Sequence, residues 1–169
     1  MNGALSNPRE RILSAVVNHP GVHLRELPLL LGFSLRAIRY HLDLMQRDEL
    51  VVSQRAGRFM RFFPRGAYSG PERALIAAVR VRGQREVLRV LLSRGPQRFS
   101  EAAAVLPISR VSFVRGLRAL EGAGIVRAGP DHRYALADRG AVAMRLALYR
   151  DRIPDLLADA AEEIFEDHP

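Results

Sequence analysis

The residues best equipped for chemistry are arginines, set along one helical stretch and again on the hairpin-like stretch behind it. Ser34, Arg36, Arg39 and Tyr40 lie together, and Arg55, Arg58 and Arg61 follow. A guanidinium is permanently charged and can bond a phosphate or a guanine edge through two N–H groups at once. A serine at a helix N-terminus commonly supports a phosphate. Residue types of this kind bias a protein toward phosphate-bearing partners.

No catalytic constellation competes with it. The chain has no cysteine, which excludes thiol nucleophiles, disulfide scaffolds, zinc fingers and iron–sulfur ligation. His19, His23, His41, His132 and His168 show no metal-ligand spacing, and Pro20 and Gly21 spoil the pair at 19 and 23. There is no Gly-rich phosphate loop, H-E-x-x-H or G-x-S-x-G. The chain is therefore expected not to be an enzyme and to hold no cofactor or metal.

The elements that must position these arginines follow from periodicity. Asn7 and Pro8 open a helix over 8–18, with Ile12, Leu13, Val16 and Val17 on one face, and His19-Pro20-Gly21 stops it. A second, short helix is expected over 24–31, with Leu24, Leu27 and Leu31 inward and Gly32 as the turn. Ser34 then caps a third helix whose apolar face is Leu35, Ile38, Leu42 and Met45, which leaves Arg36, Arg39, Tyr40 and Asp43 on other faces. His41, beside core Leu42, reads as a packing residue. A strand over 50–54, a turn over 55–58 and a returning strand over 59–63 complete a unit of three helices and a two-stranded ribbon.

The unit recurs. A shift of 75 residues aligns Leu13 with Leu88, Glu26 with Glu101, Leu31 with Leu106, Ser34 with Ser109, Leu42 with Leu117 and Val51 with Val126, without a gap. In the second copy Val111 and Val114 stand where the first has Arg36 and Arg39, so its third helix offers Ser109, Arg110, Ser112, Arg115 and Arg118. Its hairpin is shorter and carries Asp131, with Arg127 and Arg133 at the flanks. The connector at 64–71 is rich in proline and glycine. A helix over 72–81 is expected to follow it, broken from the next by Gly83. Past the second hairpin, 139–149 and 154–165 read as helices, the latter with Ile153, Leu156, Leu157, Ala160 and Ile164 opposite Asp155, Asp159, Glu162 and Glu163.

The stretch HPGVHLRELPLLLGFSLRAIRYHLDLMQRDELV with its basic hairpin, and the phrase LRALEGAGIV in the second copy, resemble winged helix-turn-helix regulators of the ArsR and MarR type. They are most similar to prokaryotic, often archaeal, proteins carrying two such domains in tandem. The resemblance covers roughly residues 7–136 and implies a mainly α protein with small β-hairpins, two winged helix-turn-helix domains in tandem and a C-terminal helical extension. The expected division is a first winged helix at 1–66, a linker and connector helix at 67–82, a second winged helix at 83–136 and acidic amphipathic helices at 137–169.

What the resemblance implies is a transcriptional regulator selective for double-stranded DNA. The third helix of the first domain would enter the major groove, and its wing would reach phosphates or the minor groove. By position the contacts are Ser34, Arg36, Arg39, Tyr40, Arg55, Arg58 and Arg61, with Ser109, Arg110, Ser112, Arg115, Arg118 and Arg133 auxiliary. Two alternatives stand beside it: an architectural, nucleoid-type DNA binder, and a tandem winged-helix module that binds proteins, favoured by the apolar face of the second domain.

Composition is consistent with this. All 26 basic residues of the 169 are arginine, against 18 acids, for a net +8. Residues 1–66 are net +5 and 67–136 net +7, whereas 137–169 are net −4. A basic field over both repeats is the footprint of a duplex binder. With 48% hydrophobic residues a core can be built. The opening MNGALSNPRER lacks a secretory apolar region and no stretch could span a membrane, so a cytoplasmic, nucleoid-associated protein with no membrane partner is expected. The C-terminal helices are expected to form a homodimer interface, with packing against the second domain or an acidic lid over the arginines as alternatives.

Overall fold

The computed structural model describes residues 7–57 and 59–152 of the chain. Arg58 and the helix expected over 154–165 lie outside the described residues. The chain divides into two compact units, Met1–Arg73 and Ala74–Pro169. Both are mostly helical with small antiparallel hairpins.

In the first unit α1 (Pro8–Asn18) starts where the Asn7 side chain accepts the Arg9 N–H at 3.1 Å and Pro8 fills the first turn. β1 (Val22–His23) and α2 (Leu27–Leu31) follow, then α3 (Leu35–Arg47). Gly32, at φ +72°, takes the left-handed conformation that ends α2 and turns the chain into α3. Ile12, Val16, Leu27, Ile38, Leu42 and Met45 are all fully buried and form the core with Val51 and Phe62. α3 therefore lies with one apolar stripe inward. Leu35, expected on that stripe, is instead exposed in the first turn, before the helix reaches the core.

The expected two-stranded ribbon is a three-stranded sheet. β2 (Val51–Ala56) and β3 (Phe59–Pro64) form the hairpin, and β1 adds to the other edge of β3, giving the order β1-β3-β2. Val22 pairs with Phe62 and Ala56 with Phe59. The helix expected from residue 24 begins only at Leu27. Residues 23–26 form a turn in which the Glu26 carboxylate accepts the His23 N–H at 2.6 Å, and β1 occupies the chain before it.

His23 packs edge-on against the Phe59 ring at 4.5 Å. Burial lowers its imidazole below the usual 6.5; Glu26 pulls the other way, and Arg61 and Arg25 reinforce the lowering. The folded state therefore resists a proton that the unfolded chain accepts. Stability should be full above pH 6.5 and fall as the pH drops below it. The melting temperature should fall more between pH 7.5 and 5 in the native chain than in His23→Gln; an equal fall in both would rule out this role.

α4 (Gly70–Val79) runs across the division between units. The helix break expected at Gly83 falls earlier, at Arg80 and Val81, and Gly83 sits inside the first turn of α5 (Arg82–Arg94). The second unit continues with β4 (Gln97–Arg98), α6 (Phe99–Val105), α7 (Arg110–Gly122), β5 (Val126–Ala128), β6 (Arg133–Leu136) and α8 (Arg139–Arg152). Its sheet order is β4-β6-β5. Leu88, Phe113, Leu117, Leu120 and Tyr149 are among its most buried side chains. α5 and α7 cross where Gly83 faces Gly116. Among the described residues no helix is long and apolar enough to cross a membrane.

Candidate nucleic-acid interface

α3 sets the geometry. Its inner stripe of Ile38, Leu42 and Met45 is anchored in the core, which leaves Arg36, Arg39, Tyr40, Asp43 and Arg47 exposed on the outer side. Arg36, Tyr40, Asp43 and Arg47 step at four, three and four residues, the spacing of one helical face. The side chains of Arg36, Arg39 and Arg47 make no hydrogen bond or ion pair with a described residue. Arg47 was not singled out by the apolar pattern alone; its signal is this spacing from Arg36. Ser34 Oγ caps the helix by accepting the Ala37 N–H at 3.2 Å. Tyr40 meets His41 edge to face at 5.3 Å, and His41 is half-buried.

The arginines of the hairpin separate into two kinds. Arg55 is exposed, and its Nε donates to the Gly57 carbonyl at 3.2 Å across the turn. Arg61 is only 4% exposed, and its Nη1 donates to the Gly21 carbonyl at 2.7 Å. The expected surface contact at Arg61 is thus corrected: both faces of β3 are covered at this point, where Arg61, Phe62 and Phe63 are all buried. Arg61→Leu should lower stability by about 1–3 kcal/mol, because a buried carbonyl loses a charged donor. Chemical denaturation measures it. Unchanged stability together with weaker binding to a duplex would return Arg61 to the interface.

In the second unit Ser109 and Ser112 form the cap of α7. Ser109 Oγ accepts the Ser112 N–H at 3.2 Å and lies 3.0 Å from the Ser112 hydroxyl. Arg110, Arg115 and Arg118 are exposed along the helix, with Val111 between them. Arg133 stays about a third exposed but, unlike the arginines of α7, is engaged within the protein. Its Nη1 donates to the Pro96 carbonyl at 3.2 Å and to Glu101 at 3.3 Å, and its Nε pairs with Asp131 at 3.3 Å, so its charge is already matched by two carboxylates. Other arginines are engaged in the same way: Arg9 with Asp48, Arg65 with Glu49, and Arg73 with Gln54 and the Tyr68 carbonyl.

The structure therefore brings together Ser34, Arg36, Arg39 and Tyr40 on one helix, with Arg55 on the hairpin, and removes Arg61. Separately, in the second unit, Ser109, Arg110, Ser112, Arg115 and Arg118 share α7. No group of histidines and carboxylates suited to a metal occurs among the described residues.

Residues 6–76, which hold α1 through most of α4, match the family described as HTH_HVO_0163_N, N-terminal HTH domain. Over 123 residues the chain is 24% identical to a Methanocaldococcus jannaschii protein named "Uncharacterized HTH-type transcriptional regulator MJ1398". That similarity covers 73% of this chain but only 31% of the length of the relative.

Proposed function

We propose that the protein is a helix-turn-helix transcriptional regulator that binds double-stranded DNA, with α3 in the major groove and the β2–β3 hairpin as a wing on phosphates. The observation that carries this is the face of α3, where Arg36, Arg39, Tyr40 and Arg47 stand exposed while the opposite stripe is fixed in the core. A recognition helix must present base-reading side chains in a rigid frame, and arginine reads guanine through paired N–H groups. Asp43, exposed in the same row, repels phosphate and suits a base-edge donor such as the cytosine amino group, which favours selective over purely architectural binding.

In this scheme the domains are two winged helices, at 1–66 and 83–136, joined by 67–82 and followed by acidic helices at 137–169. The order helix, short strand, short helix, helix and hairpin, found in both units, supports it. The second winged helix adds phosphate contacts through Arg110, Arg115 and Arg118. Arg61 and Arg133 drop out of the contact set, and Ser34, Ser109 and Ser112 act as caps that orient their helices. A homodimer would use α8, where Met144 and Leu148 lie exposed one turn apart. A monomer at every concentration in sedimentation would remove that element.

The test is fluorescence anisotropy with a labelled random-sequence duplex across roughly 50 to 200 mM salt, where six phosphate contacts give about a thousandfold loss of affinity. Arg55→Ala with Arg58→Ala should weaken all duplexes alike and flatten the salt slope by about one unit per arginine. Absence of binding at low salt would overturn the proposal in favour of protein interaction.

A further inference from the structure

The outer surface of α7 differs in kind from that of α3. It carries a groove of about 530 Å³ lined by Arg110, Val111, Val114, Arg115 and Arg118. Val111 is 65% exposed at its centre. The Arg110 guanidinium lies 5.3 Å from the centroid of the Phe99 ring, and Arg110, Arg115 and Arg118 pair with no carboxylate among the described residues. A phosphate backbone would satisfy the three cations but would leave the valines wet or desolvated without packing. An apolar floor with a cationic rim instead fits an acidic amphipathic segment.

The same unit contains such a segment. Residues 153–169, which lie outside the described residues, include Asp155, Asp159, Glu162, Glu163, Glu166 and Asp167 and not one arginine or lysine. Ile153, Leu156, Leu157, Ala160 and Ile164 recur among them at helical spacing. The segment starts one residue past α8.

We propose that residues 153–169 dock on the α7 groove of their own chain, with their apolar residues over Val111 and Val114 and their carboxylates against Arg110, Arg115 and Arg118. The tail then covers the arginines of the second unit until a stronger polyanion displaces it. Only this last consequence rests on the DNA-binding role proposed above; the docking itself does not.

The test uses the full chain with a photoreactive benzoylphenylalanine at position 111, irradiated without nucleic acid and mapped by mass spectrometry. The expected cross-links lie within a single chain and join position 111 to residues 153–169. Their yield should fall at least tenfold with Leu156→Ser and Leu157→Ser, which leave the charge unchanged. It should fall again with Asp159→Asn and Glu162→Gln, and with rising salt. Cross-links between two chains, cross-links confined to other residues, none at all, or a yield indifferent to the leucines would each overturn the docking. Added duplex provides the separate arm: retained cross-links with bound duplex would refute displacement alone, and no duplex binding would refute the DNA-binding role alone.

Discussion

Gly116→Ala is expected to destabilise the second unit by about 1–3 kcal/mol or somewhat more, although alanine is the better helix former. A Cβ at 116 would stand 2.7 Å from the Gly83 carbonyl oxygen, 2.9 Å from its carbon and 3.2 Å from the Gln84 nitrogen. All three are backbone atoms, so no side chain can rotate out of the way. α5 and α7 would have to part, loosening the packing of Leu88, Phe113, Leu117 and Leu120, which are buried on these two helices. Helix propensity offsets this by only about 1 kcal/mol. The reciprocal change, Gly83→Ala, places its Cβ 3.1 Å from the Ser112 carbonyl oxygen and should be milder. Hydrogen exchange read by mass spectrometry should show lost protection in peptides from 82–136 and none from 8–57. A variant as stable as the native chain, or more so, would mean that the helices separate without penalty.

The second large effect concerns selectivity. Arg36→Ala with Arg39→Ala should abolish the preference for a selected sequence over random duplex while leaving much of the random affinity intact. Each bidentate arginine–guanine pair is worth about 1–3 kcal/mol of discrimination, so the pair together should amount to about thirtyfold or more. Both side chains are exposed and make no hydrogen bond or ion pair with a described residue, so removing them should leave the fold unchanged. Competition between selected and random duplexes reads the ratio directly. A parallel loss on both duplexes, like that expected for Arg55→Ala with Arg58→Ala, would mean that α3 grips phosphate rather than reading bases.

The mainly helical architecture with small hairpins was legible because its signals are local. Asn7-Pro8 and Ser34 cap helices with their own side chains, and the spacing of Ile38, Leu42 and Met45 sorts α3 into an inner and an outer face without reference to the rest of the chain. What escaped depends on distant partners. β1 and β4 are two residues long and have no periodicity; each exists only because a strand roughly 35 to 40 residues later accepts it. Arg61 reads as a surface cation because alternation cannot show what covers the outer face of β3, and Arg133, which stays about a third exposed, reads as unpaired because its partner Glu101 is supplied by α6. Gly83 reads as a breaker because glycine is a poor helix former, whereas the fold uses its lack of a side chain to bring α7 close. In the candidate interface the same divide holds. Exposure of Arg36 and Arg39 follows from the helix they share with the core, and Asp131 stands beside Arg133 in the same hairpin turn, but the second carboxylate on Arg133, Glu101, comes from α6, 32 residues away.

The internal placement of Arg61 also bears on the thermodynamics of association. β3 is held by β1 on one edge, by β2 on the other, and by the guanidinium that reaches the Gly21 carbonyl. The base of the hairpin is thus ordered when the domain folds rather than when it meets a ligand. A loop of comparable reach that stiffened only on contact would surrender conformational entropy at that moment, of the order of 1 kcal/mol per residue fixed. The hairpin meets its ligand with that loss already incurred, so association should carry a correspondingly smaller entropic penalty, a preorganisation visible to calorimetry.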